Sequence, residues 1–300
     1  MNPRIIDEEE QGIRIDRLMT DELEESRSVV QQWVKDGWIT VNGGRVKNNY
    51  KLQAADRVDV TIPEDNHEEM TPEEMDLDVR YEDDDVVVIY KPRGMVVHPA
   101  PGHTRGTLMN GLLHRYPEWQ HHPEARAGLI HRLDKDTSGL LIAAKHPKAY
   151  EQLSAQMKDR KIERKYKAIV HGEVPHETGK IDMPIGRDPH DRQKMAAVRE
   201  NSKPAVTHFQ VLQWWHKYTF VECELETGRM HQIRVHFAQI GHPVAADPKY
   251  GRRKTLSLPG QALHAYRLRF EHPVSGEWIE VEAELPEEMQ AAIDELNKTS

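Results

Sequence analysis

The chain has 300 residues, 37% hydrophobic and 30% charged, with 41 Lys/Arg against 50 Asp/Glu and a formal charge of −9. That length allows one large domain and a small one, and the composition is that of a soluble globular protein with a highly charged surface. No apolar run nears the ~20 residues that cross a bilayer, the acidic start is no signal peptide, and the lone Cys223 excludes an internal disulfide and a cysteine-based zinc cluster. A cytoplasmic location without membrane contact is expected.

Residues 1–62 read as a small first domain, with a compact unit over 13–62. Ser26 or Ser28 can cap a helix carrying Val29, Val30, Trp33 and Val34, and Gly37 follows as a stop. ITVNGGRV sets Asn42-Gly43 between short alternating strands, a hairpin signal, and VDVTI (58–62) supplies another strand. Residues 63–85 hold one basic residue against twelve acidic ones and form a linker, extended by self-repulsion.

Residues 86–300 make the main domain. VVVIY (86–90) is a buried strand ending at the turn signal Lys91-Pro92-Arg93-Gly94. Residues 129–133 and 140–144 read as strands around a polar loop holding Asp134, Asp136, Thr137, Ser138 and Gly139. Residues 146–162 are helical, with Tyr150, Leu153 and Met157 on one face. RKYKAIV (164–170) alternates and puts Tyr166, Ala168 and Val170 on one side; 206–212 and 218–225 are two more strands. Turns rather than regular crossover helices join the strands, which predicts an α+β fold with a largely antiparallel sheet.

The helix beginning near Gly228 sets Met230, Ile233, Phe237 and Ile240 on one apolar face, and Arg234 lies on that face. An interior guanidinium is costly unless an anion meets it; the alternative is a packed stem with its head in solvent. Asp134 is a candidate anion. It follows a strand, and an arginine partner favours the ionised carboxylate that a nucleophile needs. Asp136, Thr137 and Ser138 suit turn closure. HRLD resembles a kinase HRD, but no Gly-rich loop or DFG accompanies it. His231 and His236 are five apart rather than the four that align metal ligands on a helix, and the neighbours His121 and His122 read as solvated loop residues. Although the net charge is negative, residues 86–280 hold 30 Lys/Arg against 20 Asp/Glu, so a polyanion meets a basic block.

KPRGMVVHP (91–99), HRLDKDTSGL (131–140), KYKAIVHG (165–172) and TGRMHQIRVHFAQIGHPVAADPKYG (227–251) together resemble the RluA-type pseudouridine synthases, most of all the RluD branch acting on large-subunit ribosomal RNA. Residues 13–62 resemble an S4-type RNA-binding domain. The resemblance implies that Asp134 is the catalytic aspartate, that Tyr166 packs on the target uracil and moves a proton, and that Arg234 pairs with Asp134. It implies RNA contacts from Arg132, His131, Arg229 and Lys165, and from Arg17, Arg27 and Arg45 in the first domain. The partner so implied is RNA, 23S rRNA in the first instance, and not DNA; no metal or organic cofactor is implied. One departure is Ala246, where the family's GHPxxGD pattern has glycine before the aspartate, so a reshaped turn is expected there.

Overall fold

A computed structural model describes residues 3–8, 10–23, 27–61, 71–99, 104–121, 128–191 and 193–299. The chain divides into two compact units, Met1–Glu69 and Met70–Ser300. The proposed capping residue Ser26, the side chain of Ser28, the acidic stretch 62–70 and His122 lie outside this description.

In the first unit, β1 (Arg4–Ile5), β2 (Ile39–Val41) and β3 (Arg57–Val60) form an antiparallel sheet in the order β1-β3-β2, with α1 (Ile15–Glu22) and α2 (Arg27–Asp36). Ile15, Met19, Val30, Val34, Ile39, Leu52 and Val58 make its core. Helix α2 stops at Gly37, whose φ of +81° is the left-handed geometry that glycine tolerates, and the Trp38 N–H closes back on Trp33 O at 2.9 Å. Asn42 and Gly43 form the expected turn, both with positive φ, but it closes on a single bridge, Val41 with Gly44, and the ladder partner of β2 is β3. The Asn42 side chain explains this. Its Nδ2 donates to Asp56 and its Oδ1 accepts from the Arg57 N–H, so the distant strand is tied to the turn itself.

The second unit contains β4 (Asp78–Glu82), β5 (Val86–Lys91), α3 (Leu108–Arg115), a 3-10 turn (Pro117–His121), β6 (Ser138–Ala144), α4 (Pro147–Lys158) and β7 (Glu163–His171). There follow β8 (Thr178–Asp182), β9 (Ile185–Arg187), β10 (Met195–Ala197), β11 (Ser202–Lys203), β12 (Val206–Trp215), β13 (Tyr218–Leu225), α5 (Gln232–Gln239), β14 (Leu263–Glu271), β15 (Trp278–Glu282) and α6 (Glu287–Thr299). Nine strands form one sheet in the order β4-β5-β6-β14-β7-β13-β12-β8, with β15 on β14; β9, β10 and β11 form a small separate sheet. Every pairing in the large sheet is antiparallel except the two-residue contact of β6 with β14. The fold is therefore α+β with a largely antiparallel sheet, as expected.

Burial follows the strand patterns. Every residue of β6 is buried, because α3 packs in the core on one face and α4 in the core on the other. Strand β7 begins with alternation, Arg164 and Tyr166 inward, Lys165 and Lys167 outward, because only one face there is covered. The acidic linker is shorter than the sequence suggests: Val79 and Tyr81 pair with β5, so 78–82 are the edge of the main sheet.

Candidate active site

The polar loop expected to carry chemistry is held differently from the sequence reading. Residues 129–133 are not a ladder strand; a single bridge joins Leu129 to Ala143. The cause is His131, whose Nε2 accepts the Ile142 N–H at 3.4 Å where a backbone carbonyl would otherwise sit. Asp134 is positioned instead by its neighbours. Leu133 is anchored in the core, and the Thr137 N–H donates to Asp134 O at 3.1 Å. Lys91, fully buried, donates its ammonium to the carbonyls of Pro92, Met95 and Lys135 at 2.9–3.0 Å. Burial pulls its pKa down to about 7 against the opposing pull of Asp134 and Asp136. Arg93 donates to Asp136 O and Gln261 O, both at 2.7 Å, and Gln261 donates to the Thr137 hydroxyl. The KPRG segment thus bolts the loop from below.

Arg234 is buried, and two carboxylates meet it. Its Nη1 donates to Asp134 Oδ2 at 2.8 Å, while Nε and Nη2 donate to Asp247 Oδ2 and Oδ1 at 2.6 and 2.9 Å. Burial opposes the guanidinium charge, but the bonds and charges of Asp247 and Asp134 outweigh it and raise the pKa. Asp247 is also buried, and its carboxylate lies below the usual range because the Arg234 bonds and the N–H groups of Lys249 and Tyr250 outweigh desolvation. The sequence reading paired Arg234 with Asp134 and did not identify Asp247, the partner that takes two of its three bonds.

Helix α5 is also corrected. It starts at Gln232, later than Gly228, because His231 adopts φ +59°, and its buried residues run from Gln232 through Phe237 with no polar outer face. The small sheet covers the other side, where Val235 packs with Ile185 and Ala205. Its inward polar groups are satisfied: Gln232 donates to Val206 O and Thr207 Oγ1, and His236 bonds Thr207 and Met183 O.

Two further groups line the site. His231 Nε2 is 3.9 Å from Asp134 Oδ1, and its Nδ1 bonds the Tyr250 hydroxyl at 2.8 Å. That hydroxyl accepts the Met195 N–H at 2.8 Å, so its proton is free to be donated to Nδ1. Burial holds His231 neutral, with a pKa lowered to about 4. Tyr166 is buried and its phenol pKa is raised by desolvation, so it stands as a neutral hydroxyl. Asp134, Tyr166, Arg132, Arg229, His231 and Arg234 border one pocket of about 50 Å³. This opens beside a cleft of about 700 Å³, within the size range of ligand sites, bordered again by Arg132, Asp134, Tyr166 and Arg229.

The remaining expected contacts fall in several places. Arg132 is exposed at the mouth of both cavities, and Arg229 lies there with its Nε on Pro204 O. The His131 ring borders the cleft but is neutral, its pKa lowered to about 3 by burial and by Arg164. Lys165 faces away from Tyr166, on the outer side of β7, and pairs with Glu222 at 2.9 Å. In the first unit Arg17 and Arg45 are exposed, and Arg27 bonds the buried Asp16. Among the described residues no helix is long and apolar enough to cross a membrane.

Residues 85–239 match the family model described as RNA pseudouridylate synthase, and residues 13–58 match the S4 domain. The chain is 54% identical over 293 residues to "Uncharacterized RNA pseudouridine synthase YlyB" of Bacillus subtilis, covering 97% of this chain and 96% of that one. It is 45% identical over 291 residues to "Ribosomal large subunit pseudouridine synthase D" of Neisseria meningitidis serogroup B, covering 93% and 77%. The solved structure of human RNA Pseudouridylate Synthase Domain Containing 1 matches with a TM-score of 0.59 at 26% identity, over 75% of this chain and 94% of that one. With such identity along almost the entire length of a relative, and with the family model spanning the loop that presents Asp134 and the helix that presents Arg234, the protein belongs to the RNA pseudouridylate synthase family and is an RNA pseudouridine synthase with an S4 domain ahead of its catalytic unit.

Proposed function

We propose that this enzyme isomerises uridine in large-subunit ribosomal RNA and that Asp134 is the group acting on the target ribose. The observation that carries the assignment of Asp134 is its carboxylate, gripped through one oxygen by Arg234 at the floor of a pocket shared with Tyr166. Support for the substrate comes from relatives at 40–45% identity named for the ribosomal large subunit.

The reaction breaks the N1–C1′ bond, turns the uracil and forms a C5–C1′ bond; a proton leaves C5, one arrives at N1, and composition is unchanged. Asp134 serves either by attack on C1′ or by removing the C2′ proton to give a glycal. In both routes Arg234 balances its charge in a site that water reaches poorly, where such a pairing is stronger than in solution. Tyr166, a neutral phenol, packs on the uracil and passes a proton late in the sequence. The target base must leave its stack to reach this depth, and Arg132 at the mouth is placed to fill the gap. Arg229 and His131 line the approach, and the exposed Arg17, Arg27 and Arg45 of the S4 unit add affinity for RNA of the kind that phosphate contacts provide. On this proposal the enzyme acts in the cytoplasm, with its ribosomal RNA substrate.

Asp134→Asn is expected to retain the fold and RNA binding and to abolish product. Carbodiimide treatment and primer extension on ribosomal RNA from a deletion strain should show at least one missing pseudouridine, restored by the wild-type gene and not by the variant. Unchanged modification at every ribosomal site, with a loss in transfer RNA instead, would move the substrate to tRNA.

A further inference from the structure

The catalytic unit holds a second interior arginine whose situation is the reverse of that of Arg234. Arg164 lies on β7 two residues before Tyr166 and on the same face, about 7 Å along the strand. It is 5% exposed, yet among the described residues no carboxylate pairs with it. Its one hydrogen bond is a long contact from Nη2 to Leu225 O at 3.5 Å, and Nε has no partner. Arg234, equally deep, has two carboxylates. A buried guanidinium without an anion is costly, and such groups in native proteins are paired, so the missing partner comes from outside the chain.

The surroundings say what that partner is. Arg164 borders the 700 Å³ cleft together with Arg132, Lys158, Arg160 and Arg229. The two carboxylates that border the cleft are already engaged, Asp134 by Arg234 at 2.8 Å and Glu226 by Arg160 at 2.7 Å and His208 at 2.6 Å. The neighbouring His131 accepts the Ile142 N–H at Nε2, which leaves Nδ1 as the protonated nitrogen, and that donor also has no partner. Two buried donors therefore lack acceptors beside one cleft. Gly228 keeps the space above the guanidinium open: a Cβ there would stand 2.6 Å from Arg164 Nη1.

We infer that Arg164, with His131 as a neutral second donor, forms a binding subsite for one phosphodiester of the RNA strand that delivers the target uridine past Tyr166. A phosphodiester brings the charge Arg164 lacks and only acceptor oxygens, which suits two orphan donors. Burial without an anion depresses the Arg164 pKa, in keeping with a site made to be filled. The subsite deepens the proposed function and rests on the cleft being the path of the RNA.

The test uses the full-length protein and an RNA transcript carrying the uridine located by the mapping above. Arg164→Gln is expected to weaken RNA binding about tenfold and to reduce the slope of log Kd against log salt by about 0.7, one phosphate's worth on a single strand. In synthetic RNA with a methylphosphonate placed at successive positions, one neutralised phosphate near the target should weaken binding to the wild type but make no further difference to Arg164→Gln. Arg164→Lys should keep most of the slope. Gly228→Ala, which displaces the guanidinium without removing it, should lower affinity in the same direction and supplies the answer if Arg164→Gln does not fold. The proposal is overturned by an unchanged salt slope in both Arg164→Gln and Gly228→Ala, even where the melting temperature falls, since that is the signature of a packing role. It is also overturned if inorganic phosphate protects the wild type and not Arg164→Gln against heat while RNA binding is the same for both, which makes the site one for a free anion. Failure of the wild type to modify the transcript instead refutes the substrate assignment and leaves the variant comparison readable by binding alone.

Discussion

Arg234 is the residue on which the site depends, and Asp247 is what makes it dependable. A guanidinium offers two edges; Asp247 takes one as a bidentate pair and fixes the plane, so that Nη1 arrives at Asp134 with little freedom left. Asp247→Asn should therefore lower stability by about 3 kcal/mol, since it unbalances a buried pair. It should reduce kcat by more than about tenfold with little change in RNA affinity, because the lost contact does not touch substrate. Thermal melting and single-turnover rates at saturating RNA separate the two effects. The need of Arg234 for an anion was legible from its place on an apolar helical face; Asp134 was reached through an expected strand over 129–133, which the structure replaces with a single bridge at Leu129. Asp247 was not legible, because its placement depends on the turn before it. Ala246 keeps φ at +55° there with its N–H on Thr255 Oγ1 at 2.7 Å, so the substitution expected to reshape that turn leaves a left-handed residue in place.

At the scale of elements, the narrowest joint in the main sheet is the parallel contact of β6 with β14, only Ser138 with His264 and Gly139 with Ala265. A side-chain bond, Ser138 Oγ to His264 Nδ1 at 2.9 Å, reinforces it. Gly139 has φ +120°, and a Cβ there would lie 2.1 Å from Ala265 O, so Gly139→Ala must part the two strands. The loop that carries Asp134 feeds directly into this joint. The variant should lose at least about 2 kcal/mol in denaturant unfolding and most of its turnover. Strands with clear alternation, β7 and β13, were readable from sequence; the burial of the second side of helix α5 was not, because β9, β10 and β11, which cover it, have no strong period of their own. In the first unit, Asp16 on α1 is buried among Arg14, Gln31 and Arg27. Desolvation raises its pKa, but those bonds win and bring it to about 2. A folded value below the unfolded ~3.9 gives stability that is present above about pH 4 and lost as pH falls through about 2. Asp16→Asn should flatten that acid limb, as followed by circular dichroism melts across pH.

For the whole molecule, charge and architecture divide along the same line. The acidic excess is concentrated in the stretch before β5 and in the C-terminal residues, whereas 86–280, which build the cleft, carry a basic excess. An RNA approaching this protein meets the local field of that block and not the net −9. Both hydrophobic cores of the catalytic unit are assembled from residues after Met75. A chain of 70–300 is expected to fold and to modify a short RNA at saturating concentration, with RNA affinity reduced on the order of tenfold and a shallower salt dependence. Filter binding and product formation on the two lengths of chain check this. The division into units at Glu69/Met70 falls within the acidic run of the sequence; that the edge strand β4 lies within that run was hidden by its charged, half-exposed residues.

In free aspartate the two carboxylate oxygens are interchangeable. Here Oδ2 is claimed by Arg234, while among the described residues the one ion-pair approach to Oδ1 is that of His231 at 3.9 Å. In the role proposed for Asp134 this desymmetrises the reagent: one oxygen is an anchor and the other is the working atom. On that proposal a ribose is met from a fixed direction, and the facial preference of the chemistry is set before substrate arrives, by the hold of Arg234 on Oδ2.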